Sequence, residues 1–302
     1  MVAMIDTGPR AARRMDLAEY MEFVEREVDV DDFDNVVEGA WALRALANDR
    51  NFVIDNYHKE LKTYWEGYSD NENLPQSVLL AVNRDFYVRT NIWLPVKGTD
   101  ANADFQRSLY SYDMAHDHNF HFVTVGYFGP GYETDLYRYD QSRVQGYEGE
   151  LVDLEERGRE RLTAGRTMVY EAGRDVHVQH SPEAVSVSLN LMCRPKELAS
   201  TPQYIFDPRE KRIVKGAGDL VSTRLFLLDL CRHLHDEETV NILSDFVADR
   251  RCERTRAHAL HILRDICPDD MEYFERRATA GTVALSSRSL ARGSGTRDHA
   301  MA

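Results

Sequence analysis

The sequence predicts a mainly β fold flanked by helices, on three observations. Hydrophobic residues repeat with a helical period before residue 64, short β-branched and aromatic runs replace it between residues 77 and 214, and the helical period returns from Asp219. The middle region has no intervening helical pattern, so an antiparallel sandwich or barrel is expected rather than a parallel βαβ sheet.

Residues 1–15 lack periodicity and are expected to be disordered, as is the Gly-, Ser- and Arg-rich stretch 280–302. Residues 16–76 read as a helical segment packed on the barrel. Leu17, Tyr20, Met21 and Val24 share one helix face, Val36, Val37, Ala40, Trp41, Leu43 and Ala47 repeat the pattern, and a third helix runs from about Asn51 to Thr63. Ten acids against one Arg between residues 16 and 38 mark solvated outer faces.

The barrel is expected over 77–216, with strands at 77–82, 86–94, 108–114, 118–128, 134–140, 166–172, 184–192 and 204–214. The turn Phe128-Gly-Pro-Gly-Tyr supplies the backbone freedom a hairpin reversal needs. Over 217–279, Leu220, Leu227, Leu230, Cys231 and Leu234, then Val240, Leu243, Phe246 and Val247, then Ala257, Leu260, Leu263 and Ile266 predict a C-terminal appendix of three to four HEAT-like helices.

Composition narrows the function. With 37 Lys and Arg against 51 Asp and Glu, the net charge of −14 argues against nucleic acid and anionic membranes as partners. No apolar run is long enough for a membrane span or secretory signal, so a cytoplasmic protein is expected. Four cysteines without C-x-x-C spacing are expected to be reduced thiols.

The histidines carry the chemical signal. Five of eleven fall in residues 116–121 and 177–180. On a strand, His116 and His118 share a face about 6.6 Å apart, close enough for both rings to reach one metal, with His177 on a later element as the third ligand. An H-x-H pair alone equally fits histidines satisfied by core hydrogen bonds. Alternation turns His121 away from this face, and the three-residue step from His177 also changes face, so His180 is expected in supporting contact with the site or in ordinary packing. His233, His235, His258 and His261 fall on helices and fit packing roles. The aromatic set Tyr110, Tyr112, Phe120, Phe122, Tyr137 and Tyr139 is expected to line the barrel.

The run from His116-Asp-His118 through Gly129-Pro-Gly131 to Tyr137, the later His177, the segment Ser181-Pro-Glu-Ala-Val-Ser-Val-Ser-Leu189, the strand Tyr87-Val-Arg89 and the hairpin Phe206-Asp-Pro-Arg-Glu-Lys211 occur in the order of the cupin superfamily. They resemble its thiol dioxygenase branch, to which cysteine dioxygenase belongs, over about residues 52–215. The resemblance implies a double-stranded β-helix (jelly-roll) barrel with Fe(II) held by His116, His118 and His177. It also implies O2 as co-substrate and a substrate carboxylate met by Arg89, with Tyr87 beside it. Imidazole also suits other divalent metals. The departures are specific: Val123 stands where most cupins carry Glu, the nearest acid being Glu133, and no cross-linking Cys–Tyr pair is present. The Ser-x-His-x-Tyr run becomes Ser186-Val-Ser188-Leu-Asn190, leaving Ser186, Ser188, Asn190 and His180 as the residues expected around the site.

Two readings follow. One is a mononuclear non-haem Fe(II), O2-dependent oxygenase acting on a small amino acid or related carboxylate, with a substrate that need not be a thiol. The other is a non-catalytic metal- or ligand-binding cupin acting as a sensor or interaction module; a homodimer or protein partner would engage the C-terminal helices.

Overall fold

The computed structural model describes residues 2–5, 12–63 and 76–280. The chain divides into two compact units, residues 1–217 and 218–302.

The first unit opens with strand β1 (Ala3–Ile5), followed by helices α1 (Leu17–Glu27), α2 (Phe33–Gly39), α3 (Trp41–Ala47) and α4 (Phe52–Thr63). Asp16 starts α1 with a reciprocal capping box to Glu19, and Asp32 caps α2. Then come β2 (Ser77–Val82), β3 (Phe86–Trp93), helix α5 (Ala101–Leu109), β4 (Ala115–His116), β5 (Phe122–Phe128), β6 (Glu133–Arg138), β7 (Glu155–Arg161), β8 (Thr167–Tyr170), β9 (Asp175–Gln179), β10 (Ser186–Cys193), β11 (Tyr204–Asp207) and β12 (Arg212–Gly216).

These strands form two six-stranded antiparallel sheets, ordered β1-β8-β5-β10-β3-β2 and β12-β11-β4-β9-β6-β7. The connectivity is that of one long hairpin wound into a helix. Its rungs are β6 with β7, β5 with β8, β4 with β9 and β3 with β10, and they alternate between the sheets. That order is the cupin-type jelly roll, mainly β with helices on its flanks.

Alternation distributes the strand residues. Val123, Val125, Val169, Leu189 and Leu191 face outward and bury Leu43, Leu46 and neighbours of the N-terminal helices. Trp93, Phe122, Met168, Tyr170 and Met192 fill the barrel interior. Behind the second sheet, Leu154, Val176, Phe206 and Ile213 make another core.

Three expectations are corrected, and one strand, β7, is additional to those expected. Residues 108–114 are not a strand, because Asp100 caps α5 through Ala103 N–H and the chain leaves the helix through left-handed Ser111 (φ 54°) and Asp113 (φ 58°). Residues 118–128 are not one strand: residues 117–121 form a loop between β4 and β5. The charged strand β7 has no apolar alternation, because its outer edge is exposed and cross-strand pairs such as Arg159–Asp135 and Arg161–Glu133 stand in for hydrophobic ones. Within 1–15, the backbone of Ala3–Ile5 pairs with β8 and Met15 is buried, so part of this segment is ordered by a free sheet edge. The tail beyond residue 280 lies outside the described residues.

The second unit contains α6 (Leu220–Leu230), α7 (Glu237–Ala248), α8 (Glu253–Ile266) and α9 (Met271–Ala280) around Leu228, Leu243, Val247, Ile262, Leu263 and Phe274. Among the described residues no helix is long and apolar enough to cross a membrane, and the cysteines are free.

Gly131 must be glycine: its φ is +81° and a Cβ would lie 2.0 Å from the Leu162 carbonyl oxygen. Gly131→Ala should destabilise the barrel by roughly 2–4 kcal/mol, read as a lowered urea midpoint at unchanged m-value.

Candidate metal centre

His116 ends β4, and its register partner on β9 is His177. His118 follows β4 in the loop, so the common strand face expected for the H-x-H pair is not what aims it inward. The intervening Asp117 does that. Fully buried, it points away from the barrel, accepting the Tyr139 hydroxyl at 2.5 Å and the Tyr204 N–H at 2.6 Å. With Asp117 held outside, its two neighbours are driven into the barrel.

The three Nε2 atoms converge: His177 lies 3.1 Å from His116 and 3.2 Å from His118. An ion about 2.1 Å from each nitrogen would subtend N–metal–N angles of about 95–100° across those separations, between octahedral and tetrahedral values. The set fits a divalent metal bound on one face, with the opposite positions open. Among the described residues this is the one cluster of His, Cys, Asp or Glu able to hold a metal.

The outer nitrogen of His116 is engaged as ligation requires. Nδ1 of His116 donates to the Met114 carbonyl at 3.0 Å, leaving its Nε2 lone pair for the cluster. Amide nitrogens flank the others, Gln203 Nε2 at 3.1 Å from Nδ1 of His118, where it also donates to the Asp117 carbonyl, and Gln179 Nε2 at 3.4 Å from Nδ1 of His177. Burial lowers the pKa of all three rings and keeps them neutral. The stacked pair Phe122 and Tyr170, 4.3 Å apart, closes the site against the His118 and His177 rings.

A cavity of about 150 Å3 opens beside the cluster, and Arg89 lines it. Its guanidinium has no carboxylate partner among the described residues, its Nε is buried without an acceptor, and burial lowers its pKa. Asn190 also lines the cavity, accepting from Thr124 at 2.6 Å.

The other expected residues sit elsewhere. Tyr87 stacks beside Arg89, 6.0 Å from ring centroid to Cζ, and does not line the cavity. Ser188 stands behind the wall, accepting from Trp93 Nε1 at 3.0 Å and donating to Asn190. Ser186 accepts from Gly131 N–H and so fixes the Gly-Pro-Gly turn. His180 lies on the outer surface between Asp113 and Asp135, 2.8 and 2.9 Å away, because the step from His177 crosses the sheet; it is not a supporting contact of the site. His121 accepts the Ala172 N–H beneath Phe33, and Glu133 pairs with Arg161. Sequence reasoning missed Gln76, Asn91, Tyr132, Gln179 and Gln203. Only Asn91 carried a signal, two residues beyond Arg89 on the same strand face.

No family model and no curated protein matches the chain. Among solved structures, a hydroquinone 1,2-dioxygenase with bound Cd2+ and 4-hydroxybenzonitrile is similar at 14% identity and a TM-score of 0.26, over 39% of this chain and 63% of that one. The chain thus spans less than two thirds of that relative. A cupin-superfamily sugar phosphate isomerase from Silicibacter pomeroyi is 12% identical, TM-score 0.26, over 44% and 68% of the two chains. A cupin domain from Bordetella pertussis is 14% identical, TM-score 0.23, over 41% and 98%.

Single His116→Ala, His118→Ala and His177→Ala variants should each lose stoichiometric metal, measured by plasma mass spectrometry, while keeping a cooperative unfolding transition. In metal-free protein, the depressed histidine pKa values mean that the unfolded chain takes up protons first. Stability should therefore be full above about pH 6.5 and fall as pH drops below it, more steeply than in the triple alanine variant.

Proposed function

We propose that the protein is a mononuclear non-haem Fe(II), O2-dependent oxygenase of thiol dioxygenase-like organisation, acting on a small amino acid or related carboxylate. The observation that carries this reading is the coexistence, in one cavity, of a three-nitrogen cluster with no carboxylate and a guanidinium with a buried, unpartnered Nε and no carboxylate beside it. Iron, when bound, would supply open coordination positions for substrate and O2 and a redox couple for the oxidation.

The chain's own groups account for binding and orientation. Arg89 holds the substrate carboxylate through a two-pronged, charge-assisted contact. Asn190, fixed by Thr124 and by Ser188 behind it, offers a polar edge on the same wall. Phe122 and Trp93 add apolar surface to the cavity wall, and the reduced access of water there strengthens the Arg89 contact.

A second reading, a ligand-binding cupin that works through a protein partner, is favoured by one observation. Helix α6 exposes Phe226, Leu227 and Leu230. On that reading a second copy or another protein covers these residues.

Metal analysis followed by oxygen-electrode screening of amino acids and thiols separates the two: an oxygenase consumes O2 with one of them, a sensor only binds. With the substrate in hand, Arg89→Lys should lower kcat/KM by about 2–3 kcal/mol, because lysine keeps the charge without the fork. Metal content should stay at the wild-type level. Equal use of substrate and its carboxamide by the wild type would refute the carboxylate contact.

A further inference from the structure

The cavity wall carries three buried polar atoms without a hydrogen-bond partner among the described residues: Nε of Arg89, Oδ1 of Asn91 and Oε1 of Gln76. One local arrangement brings them together. Arg89 and Asn91 are two residues apart on the inner face of β3, roughly 6.7 Å along the strand. Asn91 lies opposite Ser77 in the β2–β3 register, and Gln76, immediately before it, is tied down by the Ile92 N–H at 2.7 Å.

The chemistry of the three atoms is not uniform. Arg89 lacks an acceptor, whereas Asn91 and Gln76 lack donors, the unpartnered end of each amide being its carbonyl. A buried polar atom left unpaired costs about 1–3 kcal/mol, so three of opposite need around one cavity describe a complementary ligand. A plain carboxylate would satisfy Arg89 and leave both carbonyls desolvated. A ligand with an ammonium or amine beside its carboxylate offers donors to the two carbonyls as well as acceptors to Arg89.

We infer that Gln76 and Asn91 form a donor-recognition subsite next to Arg89, so that the cavity selects compact α-amino acids over the matching simple acids. The volume of about 150 Å3 limits the side chain to a few atoms, and Trp93, Phe122 and Met192 give it apolar surroundings. This inference rests on reading the cavity as the substrate pocket of the proposed metal enzyme. It concerns lining side chains other than the three histidines and uses no property of an ion.

The test is calorimetric binding to the full chain after treatment with EDTA, so that coordination of the amine to a metal contributes nothing. The probes are matched pairs differing only in the amino group: L-alanine and propionate, L-2-aminobutyrate and butyrate, L-cysteine and 3-mercaptopropionate. The amino acid of at least one pair should bind about tenfold or more tightly than its partner. Asn91→Leu and Gln76→Leu, which keep bulk but remove the carbonyl, should each shrink that ratio at least threefold. Equal affinities within every pair, no measurable amino-acid binding, or an undiminished ratio in both variants would overturn the subsite. If neither variant folds, the wild-type ratio alone decides. Oxygen uptake separates this from the broader reading. Selective binding without O2 consumption under any metal keeps the subsite and removes the oxygenase, whereas O2 consumption with unselective binding removes the subsite alone.

Discussion

The site depends on how one buried carboxylate is satisfied. Strand β4 is only two residues long, too short for its own ladder to hold two histidines in place. Asp117 makes up the difference. Its oxygens take the Tyr139 hydroxyl from just beyond β6 and the Tyr204 N–H from the adjacent β11, so two other segments of the sheet clamp the chain between the ligands. A buried acid without these donors would be strongly unfavourable, which means that the folded second sheet and the inward pose of His116 and His118 come as one arrangement.

Electrostatically the pocket is the inverse of the protein around it. The chain carries a net charge of −14, yet no Asp or Glu lines the cavity, and its charged lining residue is Arg89. Nearby acids are turned outward into pairs: Glu133 with Arg161, Asp135 with Arg159, and Glu171 with Arg138. Three neutral imidazoles leave the charge of a bound dication uncompensated. With such an ion bound, a small anion in the pocket would meet two positive centres away from bulk water, where such attractions are strengthened.

Much of this was legible in the sequence, and the failures have physical causes. The H-x-H pair and His177 could be read because metal ligation needs particular residue types, and Arg89 because a charged residue amid Val88, Thr90 and Ile92 asks for a reason. His118 was placed correctly on an incorrect premise. A strand face was expected, whereas the Asp117 clamp, a contact of long sequence separation, provides the geometry. The segment 108–114 misled through its aromatic alternation. Tyr110 and Tyr112 stack at 5.2 Å in a left-handed turn instead of pairing across strands. Strand β7 was invisible because ion pairs replace apolar residues along it. His180 lies across the sheet between Asp113 and Asp135, on the side to which a three-residue step from His177 leads.

The wound hairpin also dictates an order of assembly. Contacts between β6 and β7 join residues 24 apart, those between His116 and His177 span 61, and those between β3 and β10 span 101. Closing each successive rung costs more chain entropy than the last unless the inner rung already holds its ends together, so the barrel zips outward from the β6–β7 turn. The pair His116 and His177 joins midway through that sequence. Arg89, on the outermost rung, arrives last, and during synthesis the growing chain can gather its three imidazoles before the wall that carries Arg89 has closed over them.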